Sequence, residues 1–206
     1  MKIITSDGEN IFPPGLVLYR GLLKRKYASK IYSYIQDLEW NKTLSRDTIH
    51  YGYAYDYSIR EPQTRKLKPI DKEIPDYIKC LADALYESGI LTEYPNQIII
   101  NKYEPGQGIA AHRDHNPIFG DSIATISLGS GIMMDFEPYR EYKKTLDKKL
   151  SVYLKPGDIL VFAGDARLKY SHEIKKKKSD IVDGVRIPRD TRISITFRHV
   201  NKPYRG

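Results

Sequence analysis

The chain has 206 residues, 40% of them apolar and 29% charged, which excludes a disordered polymer and suits one domain with a full hydrophobic core. No run approaches the roughly 20 apolar residues that cross a bilayer, the opening Met1-Lys2-Ile3-Ile4-Thr5-Ser6-Asp7 lacks the apolar stretch of a signal peptide, and the single cysteine, Cys80, excludes an internal disulfide. The net charge of +8 is unevenly placed: Arg140 to Gly206 carries 18 Lys and Arg against 8 Asp and Glu, and the residues before it carry 16 against 18. We therefore expect a soluble, intracellular protein of the cytoplasm or nucleus, with no membrane partner and acting as a monomer. A basic surface attracts polyphosphate, so the charge points either to a nucleic-acid partner or to a merely solubilising lysine surface.

Along the chain, Leu23, Tyr27, Ile31, Tyr34, Ile35 and Leu38 recur at helical spacing, and Leu22 to Leu38 reads as an amphipathic helix. Asp56 to Pro75 is polar and carries Pro62, Pro69 and Pro75, the composition of a loop. Pro75 to Leu91 reads as a second helix through Ile78, Leu81, Ala82 and Leu85, with Pro75 in its first turn and Gly89 at its end. Cys80 falls in that pattern and reads as a small buried hydrophobe. After Pro95 the texture changes to short apolar runs: Ile98–Ile100, Ile123–Leu128, Ile132–Phe136, Ser151–Leu154, Ile159–Phe162 and Ile193–Phe197. Turn signals such as Pro105-Gly106, Gly129-Ser130-Gly131, Pro156-Gly157-Asp158 and Gly164-Asp165 separate them. Many short strands with such punctuation predict a β-sandwich or barrel. The fold class is thus α+β, mainly β, with the N-terminal helices packed on one sheet. Lys175 to Pro188, with four consecutive lysines, reads as a solvated, mobile loop, direct contact with phosphate being the alternative.

His112-Arg113-Asp114 sets a histidine and a carboxylate two residues apart. In extended chain these side chains point the same way and can reach one metal ion. Chance supplies about 0.4 such pairs in a chain of this composition, so the surroundings carry the argument. His172, after the strand Ile159–Phe162 and a Gly164-Asp165 turn, is the best third ligand; His50, His115 and His199 compete poorly. Two imidazoles and one carboxylate leave coordination positions open, the pattern of non-haem Fe(II) oxygenases. In Arg192-Ile193-Ser194-Ile195-Thr196-Phe197-Arg198, alternation puts both arginines on one strand face. Two buried guanidiniums need anions, and a dicarboxylate supplies them.

The stretch Asn101-Lys102-Tyr103-Glu104-Pro105-Gly106-Gln107-Gly108-Ile109-Ala110-Ala111-His112-Arg113-Asp114 resembles the core of AlkB-type Fe(II)- and 2-oxoglutarate-dependent dioxygenases. Ile123 to Gly129, Leu154-Lys155-Pro156-Gly157-Asp158, His172 and Arg192 to Arg198 follow in the order of that family. The resemblance implies one domain over 1–206, with a helical and nucleotide-lid extension over 1–94 and a double-stranded β-helix (jelly-roll) catalytic core over 95–200. It implies Fe(II) on His112, Asp114 and His172, which are then the catalytic residues. It also implies 2-oxoglutarate held by Arg192 and Tyr103 at the distal carboxylate and by Arg198 and Asn101 near the metal, with Ser194 where some members carry asparagine. O2 is the further co-substrate, and the reaction yields succinate and CO2.

The same resemblance extends faintly to Arg46 through Tyr55, where such enzymes carry a lid over the substrate base. Tyr51 and Tyr53 are the candidates for stacking on it, with packing of an edge strand as the alternative. His115 and Asn116, just past the metal aspartate, are candidate substrate contacts; an amide at 116 stands where some nucleic-acid demethylases carry a carboxylate. The expected activity is oxidative demethylation of N-alkylated bases in DNA or RNA, with release of formaldehyde, as in DNA repair or RNA modification. The alternative is hydroxylation of a modified tRNA base, a protein side chain or a small molecule on the same fold.

Overall fold

The computed structural model describes residues 8–42, 44–55, 67–114 and 118–201. In chain order the elements are β1 (Glu9–Ile11), β2 (Leu16–Tyr19), α1 (Arg25–Gln36), β3 (Asp47–Tyr51), β4 (Tyr53–Tyr55), β5 (Leu67–Pro69), α2 (Asp76–Glu87), β6 (Gln97–Tyr103) and β7 (Ile109–His112). Then come β8 (Phe119–Gly129), β9 (Ile132–Pro138), β10 (Leu150–Leu154), β11 (Ile159–Phe162), α3 (Gly164–Leu168), β12 (Tyr170–Ile174), β13 (Ser179–Val182), β14 (Val185–Pro188) and β15 (Arg192–Val200). The protein is mainly β, and its strands pair antiparallel throughout the described residues.

A seven-stranded sheet runs β1-β2-β11-β8-β15-β6-β3, and a four-stranded sheet runs β10-β9-β12-β7. One apolar cluster joins the two: Leu16, Leu18, Ile123, Leu160 and Phe162 of the large sheet pack with Ile132, Met134, Phe136, Val152, Leu154 and Tyr170 of the small one. The other face of the large sheet is covered by the helices. Ala28, Ile31 and Ile35 of α1 and Ile78, Leu81, Ala82 and Leu85 of α2 bury against Ile100, Ile126, Leu128, Ile193, Ile195 and Phe197. Their spacing at three and four residues is the amphipathic stripe read from sequence. Burying each of the leucine, isoleucine and phenylalanine side chains here stabilises by about 1.5–3 kcal/mol, and that gain fixes which face of β15 meets the helices.

Several expectations need correction. The first helix begins at Arg25, because Leu23 is drawn into the sheet layer by its N–H bond to the Gly157 carbonyl, 3.1 Å. Cys80 is exposed on α2, since the buried positions 78, 81, 82 and 85 leave 80 on the outer side. The loop expected over Asp56 to Pro75 falls partly outside the described residues, but Leu67–Pro69 is a strand paired with Tyr53–Tyr55. Lys175 to Pro188 is not all loop: β13 and β14 form a hairpin, Ser179 facing Pro188 and Val182 facing Val185. Its turn, Asp183-Gly184, has φ of +50° and +78°, the conformation that makes a two-residue hairpin of matching twist. Residues before 95 supply β1 and β2 at one edge of the large sheet and β3 at the other. Among the described residues no helix is long and apolar enough to cross a membrane.

Candidate active site

A cavity opens between the two sheets. It is lined by Asn101, Tyr103, Ile109, His112, Asp114, Thr125, Met134, Phe162, His172, Ile174, Arg192, Ser194, Thr196 and Arg198. All eight residues expected to bind metal or 2-oxoglutarate meet there, and pairing explains how. On the small sheet His172 of β12 stands directly opposite His112 of β7, with ring centres 4.3 Å apart. On the large sheet Arg192 and Ser194 of β15 stand opposite Tyr103 and Asn101 of β6. The period of two then turns Arg192, Ser194, Thr196 and Arg198 to the cavity and Ile193, Ile195 and Phe197 to the helices.

Burial sets the protonation states. Burial lowers the pKa of His172 to about 3, helped by neighbouring His112 and Arg198 and opposed by Asp114. His112 is lowered too, again first by burial. Its Nδ1 stands 2.9 Å from the Ala110 carbonyl; a neutral ring donating there keeps its lone pair on Nε2. Phe162 packs on His172 with ring centres 4.9 Å apart. Burial alone would raise the Asp114 carboxyl, but Arg198, His172 and His112 outweigh it and hold it below the usual range. Two neutral imidazoles and one carboxylate are the donors a divalent first-row ion takes.

These donors fit iron after a small adjustment. Nε2 of His172 and Oδ2 of Asp114 are 4.0 Å apart, and Oδ1 of Asp114 is 2.7 Å from Nη2 of Arg198. Ligand bonds of about 2.1 Å ask for roughly 3 Å between neighbouring donors, so this pair has about 1 Å to close. Among the described residues no three His, Cys, Asp or Glu side chains are yet gathered closely enough to enclose an ion.

The opposite end of the cavity is cationic. Arg192 is 1% exposed. Its Nη2 donates to Ser127 Oγ at 2.9 Å, and it lies 5.4 Å from the centre of the Tyr103 ring. Its Nε and Nη1 are buried and find no acceptor among the described residues. Burial lowers its pKa to about 10, so it stays charged at neutral pH. A buried guanidinium with unused N–H groups is costly alone and suits a carboxylate.

Other expected residues are not gathered. Tyr51 is 1% exposed and packs in the helix-covered core, away from the cavity. The reason is Gly52, whose φ of +74° bends the chain between β3 and β4 so that Tyr51 and Tyr53 do not share a face. A side chain at Gly52 would strike the Asn96 carbonyl. Tyr53 packs instead beside the apolar cluster between the sheets. His115 and Asn116 lie outside the described residues. Sequence reading missed Arg46, whose Nε donates to Asn101 Oδ1 at 2.8 Å and whose guanidinium lies over Tyr103. It also missed the apolar wall of Ile109, Met134, Phe162 and Ile174. Nothing in a single sequence marks a contact spanning 55 residues.

The family model described as the 2OG-Fe(II) oxygenase superfamily matches residues 19–198, and the chain belongs to that superfamily. A relative from Acanthamoeba polyphaga mimivirus, "Uncharacterized protein L905", is 36% identical over 84% of this chain and 79% of its own. "Alpha-ketoglutarate-dependent dioxygenase AlkB" of Escherichia coli is 30% identical over 77% of this chain and 68% of its own. The mouse "tRNA (carboxymethyluridine(34)-5-O)-methyltransferase ALKBH8" is 28% identical over 95% of this chain, which spans 32% of that longer protein. The solved structure of OsALKBH1 superposes with a TM-score of 0.67 at 19% identity, covering 94% of this chain and all of that one. Within the superfamily, then, this is an AlkB-type dioxygenase, an oxidoreductase that requires Fe(II), 2-oxoglutarate and O2.

Proposed function

We propose that this dioxygenase oxidatively demethylates N-alkylated bases in DNA or RNA, acting as a soluble, intracellular monomer. In this reading residues 1–206 form one domain: 1–94 extend and edge a double-stranded β-helix whose catalytic core is 95–200. His112, Asp114 and His172 hold Fe(II). Arg192 and Tyr103 take the distal carboxylate of 2-oxoglutarate, Arg198 and Asn101 attend the end near the metal, and Ser194 lines the floor between them. The observation that carries the reading is one cavity with the three donors on one side and the unmatched Nε and Nη1 of Arg192 on the other.

Iron with 2-oxoglutarate and O2 supplies the oxidising power that turns a C–H bond into C–OH while 2-oxoglutarate loses CO2 to become succinate. The chain's part is to bind, orient and exclude water. Phe162 fixes the His172 ring, the Ala110 carbonyl fixes the His112 tautomer, and Arg198 keeps Asp114 ionised. Ile109, Met134, Phe162 and Ile174 give the cavity one apolar wall. A methyl group on a base nitrogen, once hydroxylated, leaves as formaldehyde. Access to that methyl requires a single strand or an extruded base. Tyr53, beside the inter-sheet cluster, is the remaining stacking candidate; His115 and Asn116 keep their proposed place near the substrate.

A second reading is hydroxylation of a modified tRNA base. It is favoured by the tRNA methyltransferase relative that aligns along 95% of this chain. Protein with Fe(II), ascorbate and 2-oxoglutarate is to be incubated with methylated and unmethylated oligonucleotides and with tRNA. Formaldehyde and loss of the methyl mass are expected from the methylated oligonucleotide. Added oxygen mass on tRNA, with methylated oligonucleotides untouched, would replace the first reading by the second. His112→Ala and Asp114→Ala are each expected to abolish succinate formation with an unchanged circular dichroism spectrum. A wild-type rate in either would remove that residue from the metal site.

A further inference from the structure

Between β12, which carries His172, and β15, which carries Arg192, the chain leaves both large sheets to build the β13–β14 hairpin. The hairpin is anchored. Asp180, 4% exposed, accepts from Arg189 Nε at 2.7 Å and Nη2 at 2.6 Å, and from the Met133 N–H at 3.2 Å. Arg189 Nη1 also donates to the Lys175 carbonyl at 2.7 Å. A buried ion pair adds little net stability over apolar packing. What it does here is hold the base of the hairpin against β9 and the end of β12, so the arm projects in one direction.

The arm presents an unusual surface. Ile181 faces Arg186 across the hairpin, on the same side as Ser179 and Pro188. Ile181 is 53% exposed on this side and Val185 63% on the other, the two most exposed large apolar side chains among the described residues. Beside them run four exposed lysines. Lys175 is occupied by Asp135 at 2.8 Å and Glu173 at 3.7 Å. Lys176, Lys177, Lys178 and Arg186 have no ion pair among the described residues. Asp180 is spent on Arg189, which leaves Asp183 at the turn as the acid of the arm.

This surface adjoins the cavity. The Lys177 carbonyl accepts from the Gly106 N–H at 3.0 Å, and a Cβ at Gly108 would strike the Ile174 carbonyl. The lysine segment thus lies against the loop leading into β7. From His172 to Lys176 is four residues of extended chain, about 13 Å, or a few nucleotide steps at roughly 3.4 Å each.

We propose that Lys176–Lys178 and the β13–β14 hairpin are a docking arm for the polynucleotide flanking the nucleotide held in the cavity. The free cations take phosphates, and Ile181 presses on a sugar or base face exposed by unstacking. The proposal rests on the nucleic-acid reading above. It commits to a polynucleotide because Lys176–Lys178 and Arg186 carry charge that no acid of the described residues pairs, beside the exposed Ile181 and against the loop of the cavity, a match for a chain of phosphates.

The test uses the whole chain and a fluorescein-labelled single-stranded oligonucleotide containing 1-methyladenine, followed by anisotropy across a salt series. The variants are Lys176→Gln/Lys177→Gln/Lys178→Gln together, and Ile181→Ser; all four positions are exposed, and thermal melts check the fold. The triple variant is expected to bind more than tenfold more weakly at low salt. Its slope of log affinity against log salt should fall by about 2, from roughly 0.7 per lost phosphate contact. Ile181→Ser should weaken binding about threefold with the slope unchanged. Succinate formed without oligonucleotide should be the same in all. Equal affinity and slope in the triple variant would overturn the arm and leave the nucleic-acid reading standing. Wild-type protein that ignores oligonucleotides would bring down that reading and the arm with it. Lysine-dependent binding to phosphatidylserine vesicles, with oligonucleotide binding unaffected, would overturn the arm in favour of a membrane surface.

Discussion

Arg189 and Arg192 stand three residues apart, both buried, at 7% and 1% exposure, and the chain treats them in opposite ways. Arg189 meets an internal carboxylate through two charge-assisted bonds to Asp180. Arg192 has a hydroxyl, a ring face and two unmatched N–H directions. A guanidinium cannot shed its charge to suit burial. One of the two is therefore completed by the fold, and the other waits for an anion from outside. Satisfaction inside the chain, more than burial or charge, separates a structural arginine from a receptor.

The contrast can be broken most severely at Arg189. Arg189→Met leaves Asp180 buried without a cation, and urea unfolding should register a loss of about 3–5 kcal/mol. Adding Asp180→Leu should restore most of it; a neutral single substitution would mean that the pair contributes no such constraint. Arg192→Met should behave in reverse. Without ligands its melting temperature should hold or rise, since an unmatched charge leaves the core. Its 2-oxoglutarate requirement should rise about a hundredfold, about 3 kcal/mol of lost binding. An unchanged requirement would remove Arg192 from the co-substrate site.

His50 sharpens the comparison, because a buried imidazole can discharge. Burial, then Arg198 and Arg46, lower its pKa to about 4. Between about pH 4 and 6.5 the unfolded chain binds the proton and the folded chain does not. The stability this provides is therefore complete above about pH 6.5 and lost as pH falls to about 4, up to roughly 3 kcal/mol. His50→Asn should flatten that part of the stability–pH curve; an unaltered acid limb would assign it to other groups. The smallest effect belongs to Ser127→Ala, which deletes the hydroxyl held by Arg192 Nη2 and should raise the 2-oxoglutarate requirement about fivefold.

What could be read in advance followed periodicity. The alternation of Arg192 to Arg198 was legible because β15 is straight and paired on both sides, with a register shift only past Arg198. That His112, Asp114 and His172 would meet at one cavity was legible through the spacing of the first two and the place of the third after a strand and turn. Tyr51 was misjudged because the left-handed Gly52 breaks alternation, and one glycine in a sequence does not announce its φ. The β13–β14 hairpin was hidden by the lysine run just before it, although Asp183-Gly184 between β-branched residues is a turn signal. The link from Arg46 to Asn101 needed folded coordinates, since local sequence carries no trace of it.

The earliest strands of the chain close the borders of the large sheet: Leu16 to Tyr19 pair with Phe162 to Ile159, and Asp47 to Tyr51 pair with Lys102 to Ile98. During synthesis β2 leaves the ribosome long before β11 exists, so closure waits on a very distant pairing and should be slow. A truncated product starting at residue 95 would bare the short apolar margin of β11 and the longer, isoleucine-rich margin of β6, which invite strands from other copies. Such a fragment should precipitate, and the leading segment doubles as an inbuilt guard against clumping.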